Sequence, residues 1–180
     1  MPAHYLQHAD ELVRLIRHRE AGQAARFAAG SLAVGVACYP NGHAESANLD
    51  EDFDVLLAKQ RLGADFAITQ LFFDAEDYAR FAQRARLAGV RIPLIPGIMP
   101  MTSVARLERM AKLSGLQVPP RVRAALAAAS TPDEEHEIGM ELTAELTRSV
   151  LRSGADGLHI YTHNNPHITQ DLLNRIGVHP

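Results

Sequence analysis

Gly63-Ala64-Asp65-Phe66-Ala67-Ile68-Thr69-Gln70-Leu71-Phe72-Phe73-Asp74 is the stretch whose reading decides the fold. A glycine turn leads into a near-continuous apolar run from Phe66 to Phe73, and Asp74 is placed to cap a following helix. Such a strand is expected to be parallel and covered on both faces, because a face open to water would show alternation. Two polar side chains, Thr69 and Gln70, interrupt the run. In parallel α/β architectures ligands sit beyond the carboxyl ends of the strands, which makes Gln70 a candidate ligand contact. The alternative is an amide that only satisfies a backbone group at the strand end.

Working outward, Gly154-Ala155-Asp156 repeats the turn and leads into a last strand, Leu158-His159-Ile160-Tyr161. Upstream, Leu32 to Tyr39 is a short apolar run that stops at Pro40-Asn41-Gly42 and reads as a buried strand. Ile92 to Pro100 is a third strand of short pairing, since Pro93, Pro96 and Pro100 offer no ladder donors. Helical spacing marks residues 5–18, with apolar groups at 5, 9, 12, 13 and 16. A second helix starts at the Asn48 cap, with Glu51 to close the capping box, and stops at Gly63. Asp74 opens a helix ending at Gly89, Thr102 or Ser103 opens one to about Leu113, and Pro119-Pro120 starts another. Thr131-Pro132-Asp133-Glu134 begins a helix carried to Gly154 by Ile138, Leu142, Leu146 and Val150, and a final helix spans about Ile168 to Ile176. The sum is an α/β chain of parallel βα repeats, four strands with covering helices, in a single domain over 1–180. A small open sheet and half of an eight-stranded barrel both fit this pattern.

Totals narrow the function. At 180 residues the chain holds a sizeable core but is shorter than the roughly 250 residues of a full (β/α)₈ barrel. A net charge of −3 gives no basic footprint for nucleic acid. Cys38, the single cysteine, stands in an apolar strand and reads as an inert buried thiol. No apolar run is long enough for a membrane span and the first residues do not resemble a signal peptide, so the cytoplasm is expected.

Neither a phosphate-cradling glycine loop nor a nucleophile elbow is present. His159, His163 and His167 fall four apart, but Pro166 and Asn164-Asn165 put them in a loop, and no metal is expected. Asp133, Glu134, Glu135 and Glu137 read as the solvated start of a helix. The carboxyl ends of the strands gather Tyr39 and His43, then Gln70, then Met99 and Met101, then Tyr161. A ring, an imidazole and an amide around one mouth suit a flat, hydrogen-bonding heteroaromatic ligand. Asp52 and Lys59 lie seven residues apart on one side of the following helix, where an exposed pair is the plain expectation.

Tyr39-Pro40-x-Gly42-His43-x-Glu45, Lys59, Gly63 to Asp74, Ile95-Pro96-Gly97-Ile98-Met99-Pro100 and Gly157-Leu158-His159-Ile160-Tyr161-Thr162-His163-Asn164 together resemble methylenetetrahydrofolate reductase, in family order, from about Tyr5 to Gly177. The resemblance implies a TIM (β/α)₈ barrel of which this chain is the second half. It also implies FAD as cofactor, and reduction of 5,10-methylenetetrahydrofolate to 5-methyltetrahydrofolate by NAD(P)H in one-carbon metabolism and methionine synthesis. On that likeness Tyr39, His43, Asp52 and Lys59 match flavin-contacting positions, and Gln70 matches the amide that meets folate and nicotinamide. Ser46, Val55, Met110 and Asn165 depart from the family pattern, which favours Ala, Asn, Phe and Arg there. The first four strands, with the catalytic acid, would lie upstream of Met1, so no catalytic residue is expected in this chain. A homo-oligomer or a separate amino-terminal half would complete the wall; the alternative is a non-catalytic remnant or one subunit of a split reductase.

Overall fold

Capping chemistry sets most element boundaries in the computed structural model, which describes residue 6 and residues 8–178. The first helix, α1, is Ala9–Gly22; its expected start at Tyr5 lies outside the described residues. Strand β1, Gly35–Cys38, is followed by α2, Leu49–Arg61, where the Asn48 side chain accepts from the backbone N–H groups of Asp50 and Glu51. Strand β2, Phe66–Thr69, is followed by α3, Ala75–Ala88, capped by Asp74 and closed by Gly89 in the left-handed region. The third strand is broken into β3, Leu94–Ile95, and β4, Gly97–Ile98. Helices α4, Val104–Leu113, α5, Pro120–Ala127, and α6, Pro132–Arg152, come next, with Ser103 and Thr131 as side-chain caps of α4 and α6. Strand β5, His159–Ile160, and helix α7, Pro166–Arg175, complete the described elements.

All pairings are parallel: β1 with β2, β2 with β3, and β4 with β5. Because β3 and β4 are the two halves of one kinked strand, the spatial order follows the chain order, as in half of a (β/α)₈ barrel. Pro96 sits at the kink, where it can accept but not donate, and its carbonyl takes the N–H of His159 at 3.0 Å. Across the break, Gly97 N–H donates to Thr69 Oγ1 at 2.8 Å, so a side chain replaces the missing ladder bond. Thr69, wholly buried, is therefore part of the sheet itself.

One expectation needs correction. The apolar run from Phe66 to Phe73 is not one strand covered on both faces. Ladder pairing stops at Thr69, and Leu71, Phe72 and Phe73 turn into the core packed by α4 to α7. Within β1 and β2 burial alternates: Val36, Cys38, Ala67 and Thr69 are buried against the helices, while Gly35, Ala37, Phe66 and Ile68 are only partly covered or exposed. The helices cover one face only, and the other is the inner wall of the half-barrel.

The repeated Gly-Ala-Asp turn does the same work twice. Asp65 Oδ2 accepts from the N–H of Val34 at 2.7 Å and from Arg17 on α1 at 2.7 Å. Asp156 Oδ2 accepts from the N–H of Leu94 at 3.2 Å and from Arg86 on α3 at 3.2 Å. Each carboxylate ties the amino end of its own strand to the start of the neighbouring one and to the helix before it. The amino ends are thus clasped, and the carboxyl ends carry the loops.

Candidate functional site

The loop leaving β1 is organised by two carboxylates. Asp52, in the first turn of α2 and only 9% exposed, accepts from the backbone N–H of His43 at 3.0 Å and from Ser46 Oγ at 2.6 Å. Glu51 accepts from the N–H of Ala47 at 2.6 Å, so the acids beside the Asn48 cap also hold the residues preceding it. Gly42, with φ of +85°, provides the left-handed step that lets the chain turn back over Asp52. In this frame the rings of Tyr39 and His43 meet edge to face, with centroids 4.5 Å apart at 69°.

Tyr39 and His43 form a wall between two hollows. On one side a cavity of about 430 Å³ is bounded by Tyr39, Gly42, His43, Gln70 and residues 112–116 at the end of α4. On the other, a cavity of about 330 Å³ reaches Asp10, Cys38, Ser46, Asp52, Val55 and Lys59. A shallower hollow of about 270 Å³ on the inner wall brings Tyr39 and Gln70 together with Ile68, His159 and Tyr161. Tyr39 is common to all three, which makes it the hinge point of the site. Burial pushes its phenol pKa above the ordinary value, so it remains protonated at neutral pH.

Gln70 follows β2 directly. Its backbone N–H continues the ladder to Cys38 at 2.8 Å, and its side-chain Oε1 accepts from the N–H of Leu71 at 2.9 Å. The side-chain oxygen thus satisfies a backbone group, and the amide nitrogen has no hydrogen-bond partner among the described residues. Tyr161 reaches across from β5, its hydroxyl donating to the Thr69 carbonyl at 2.9 Å and its ring set against His159 at 4.8 Å between centroids. Its ring occupies the space over Gly97, where a Cβ would lie 2.7 Å from the ring edge.

The exposed pair expected at Asp52 and Lys59 is not there. Lys59 is 8% exposed, and Nζ donates to the Ala37 carbonyl at 3.1 Å, its one hydrogen-bond partner among the described residues. Burial lowers its pKa, with Asp10 and Asp52 opposing the shift. Helical spacing over two turns places both side chains under the β1 loop, where α2 packs on the sheet. Beside Lys59, burial pushes the Cys38 thiol up to about 12, so it is no nucleophile.

Met99 and Met101 do not join the mouth. Both are buried in the core, and Met101 borders a separate cavity of about 400 Å³ between α3, α5 and α6. Among the described residues no three His, Cys, Asp or Glu side chains gather to hold a metal ion. The acidic start of α6 is largely solvated, as expected: Asp133, Glu134 and Glu137 are exposed, Glu137 while held below the usual carboxylate range by its hydrogen bond with Arg175, and only Glu135, which accepts from the N–H of Val104, is partly covered. Asn165 is the side-chain cap of α7. Sequence reasoning missed Ser46 as an Asp52 partner and missed residues 112–116 as a wall; Gly115, with φ of +69°, was the available signal for a turn there. No helix among the described residues is long and apolar enough to cross a membrane.

A family model described as methylenetetrahydrofolate reductase matches residues 2–177. Methylenetetrahydrofolate reductase 1 of Schizosaccharomyces pombe is 34% identical over 96% of this chain and 27% of its own length. The 5,10-methylenetetrahydrofolate reductase of Escherichia coli is 29% identical over 82% of this chain and 50% of its own length. The chain thus spans between about a quarter and a half of these curated relatives. Among solved structures, an uncharacterized protein from Clostridium thermocellum described as binding two copies of 5-methyl-5,6,7,8-tetrahydrofolic acid shares the fold with a TM-score of 0.51, at 16% identity, over 82% of this chain and 53% of that one.

Proposed function

The chain belongs to the methylenetetrahydrofolate reductase family, and from that premise we propose that it supplies the flavin- and folate-facing wall of an oxidoreductase. In this reading the enzyme reduces 5,10-methylenetetrahydrofolate to 5-methyltetrahydrofolate with NAD(P)H, in the cytoplasm. The observation that carries it is the convergence of Tyr39, His43 and Gln70 on one cavity at the carboxyl ends of the strands. The folate-binding description of the Clostridium thermocellum protein supports a pterin-type ligand.

The donor set fits FAD. Lys59 is a buried ammonium with one neutral partner, so a phosphate oxygen in the adjoining cavity would gain a desolvated, charge-assisted bond. Tyr39 and His43 offer a ring edge and an imidazole to a flat heteroaromatic group. Gln70 keeps an amide N–H₂ for the carbonyl of a pterin or a carboxamide. When bound, the flavin supplies the chemistry that accepts a hydride from one substrate and delivers it to the next. This chain's residues bind and orient, and the acid that assists the reaction is assigned to βα units outside the described residues.

Those units would cover the inner wall and the outer edges of β1 and β5, whether they belong to the same polypeptide, to a separate subunit or to a second copy. The open inner wall favours a second reading, one subunit of a split reductase. To test the proposal, the purified chain is titrated with FAD and with riboflavin while flavin fluorescence and absorbance are followed. FAD is expected to bind, and Lys59→Met to weaken FAD about tenfold, near 1.4 kcal/mol, without changing riboflavin. Absence of any spectral change up to millimolar flavin would defeat the proposal. A split enzyme would oxidise NAD(P)H only after the complementary half is added.

A further inference from the structure

The loop after β1 closes on itself through one carboxylate and one imidazole. Ser46 Oγ and the backbone N–H of His43 each donate to a different oxygen of Asp52, at 2.6 and 3.0 Å. Farther out, the backbone N–H of Glu45 donates to His43 Nδ1 at 3.2 Å. A ring nitrogen that accepts cannot also carry the proton, so this bond assigns the proton of the neutral ring to Nε2. Tyr39 stands edge-on against the same ring. The tautomer therefore depends on where the Glu45 N–H points, that N–H on the path of the loop, and the path on both oxygens of Asp52.

We infer that Ser46 is a positioning residue. Acting through Asp52, it holds His43 as an Nε2–H donor in the wall between the two hollows, and so selects a ligand that presents a hydrogen-bond acceptor to that wall. Asp52 on this account serves the ligand through the loop it anchors. The Ser46 hydroxyl and the His43 N–H thus engage both oxygens of Asp52, which sets the plane of the carboxylate against the loop. The identity of the ligand as a flavin rests on the function proposed above; the clamp and the tautomer do not.

The test uses protein labelled with ¹⁵N-histidine, with His43 assigned by the signal lost in His43→Gln. At a pH where the ring is neutral, wild type is expected to show one tautomer, protonated at Nε2. Ser46→Ala is expected to show averaged Nδ1 and Nε2 signals, and Ser46→Thr, which keeps the hydroxyl, to restore the single form. Asp52→Ala, which removes both acceptors at once, is expected to behave like Ser46→Ala and provides a second route should one variant fold poorly. An Nδ1–H ring in wild type, or an unchanged single tautomer in both variants, would overturn the clamp. FAD affinity is read on the same samples: a loss of about tenfold in Ser46→Ala, with Ser46→Thr within about twofold of wild type, is expected. Unchanged affinity alongside a mixed tautomer would overturn the selection of an acceptor. A wild type that binds no FAD defeats the proposed function while the nitrogen signals still decide the clamp.

Discussion

Gly139→Ala sets two effects of opposite sign against each other. Gly139 lies in the interior of α6, where exchanging glycine for alanine ordinarily gains about 1 kcal/mol of helix propensity. Here a Cβ would lie 2.7 Å from the Met101 carbonyl carbon and 3.2 Å from Leu126 Cδ2, with the Met101 carbonyl oxygen closer still. The obstacle is backbone and cannot rotate away. Relief requires α6 to move off the segment after β4, and that motion strains a second link, because Thr143 Oγ1 accepts from the N–H of Met101 at 2.9 Å while donating to the Gly139 carbonyl at 2.7 Å. Overpacking costs about 1–3 kcal/mol, and a buried N–H left unpaired about as much again. Packing therefore wins, for a net loss of about 3 kcal/mol, or a fall in melting temperature of roughly 6–12 °C for a chain of this size. Urea unfolding followed by circular dichroism measures it. Gly22→Ala is the control: that glycine ends α1 with nothing within 4 Å of an added Cβ, and its replacement should be neutral or stabilising by up to about 1 kcal/mol. A Gly139→Ala protein as stable as wild type would refute the close approach of α6 to Met101.

Three further predictions follow from the same geometry. Asp65 is held below the usual carboxylate range, first by the Val34 N–H and then by Arg17; a depressed carboxylate contributes stability above its unfolded pKa of about 4 and loses it as pH falls through the folded value. With half of the side chain in solvent that contribution stays under about 1 kcal/mol, and Asp65→Asn should flatten this part of the curve of urea midpoint against pH below about pH 5; parallel curves would count against it. Tyr161→Phe removes the hydroxyl that reaches the Thr69 carbonyl at 2.9 Å but keeps the ring over Gly97, so a loss of about 1 kcal/mol is expected on urea unfolding, and a loss above about 3 would show that the ring itself had shifted. Cys38, 3% exposed and with its thiol pushed up to about 12, should react with a thiol reagent only as fast as the protein unfolds, and prompt labelling of native protein would contradict its burial.

Much of the frame was legible because the signals were local. Asn48, Asp74, Ser103 and Thr131 cap helices where short polar side chains precede apolar periodicity, and the third strand breaks at Pro96 as its missing donor requires. Less legible was anything decided by which face of an element is covered. Phe66 to Phe73 reads as uniformly apolar, yet its first half lines a partly open wall and its second leaves the sheet, a distinction that hydropathy does not carry. Asp52 and Lys59 read as surface charges because charge patterning records spacing but not the neighbour that covers it; their burial comes from the β1 loop and from β1 itself. Met99 and Met101 follow the third strand as expected, but the kink turns them into the core. Ser46 stood out only as a departure from the family pattern; its bond to Asp52 was not legible, since a serine six residues before an aspartate is commonplace until a loop folds one onto the other.

The twin Asp65 and Asp156 clasps have a consequence for how such a chain can change. They lock the floor of the sheet with groups that no ligand at the opposite rim would touch. Rim loops can then be exchanged or randomised while the floor keeps the strands in register, so chimaeras that swap residues 40–45 should still fold. That tolerance should end abruptly at Ser46, where a side chain of the rim, and not only its backbone, bonds to the scaffold.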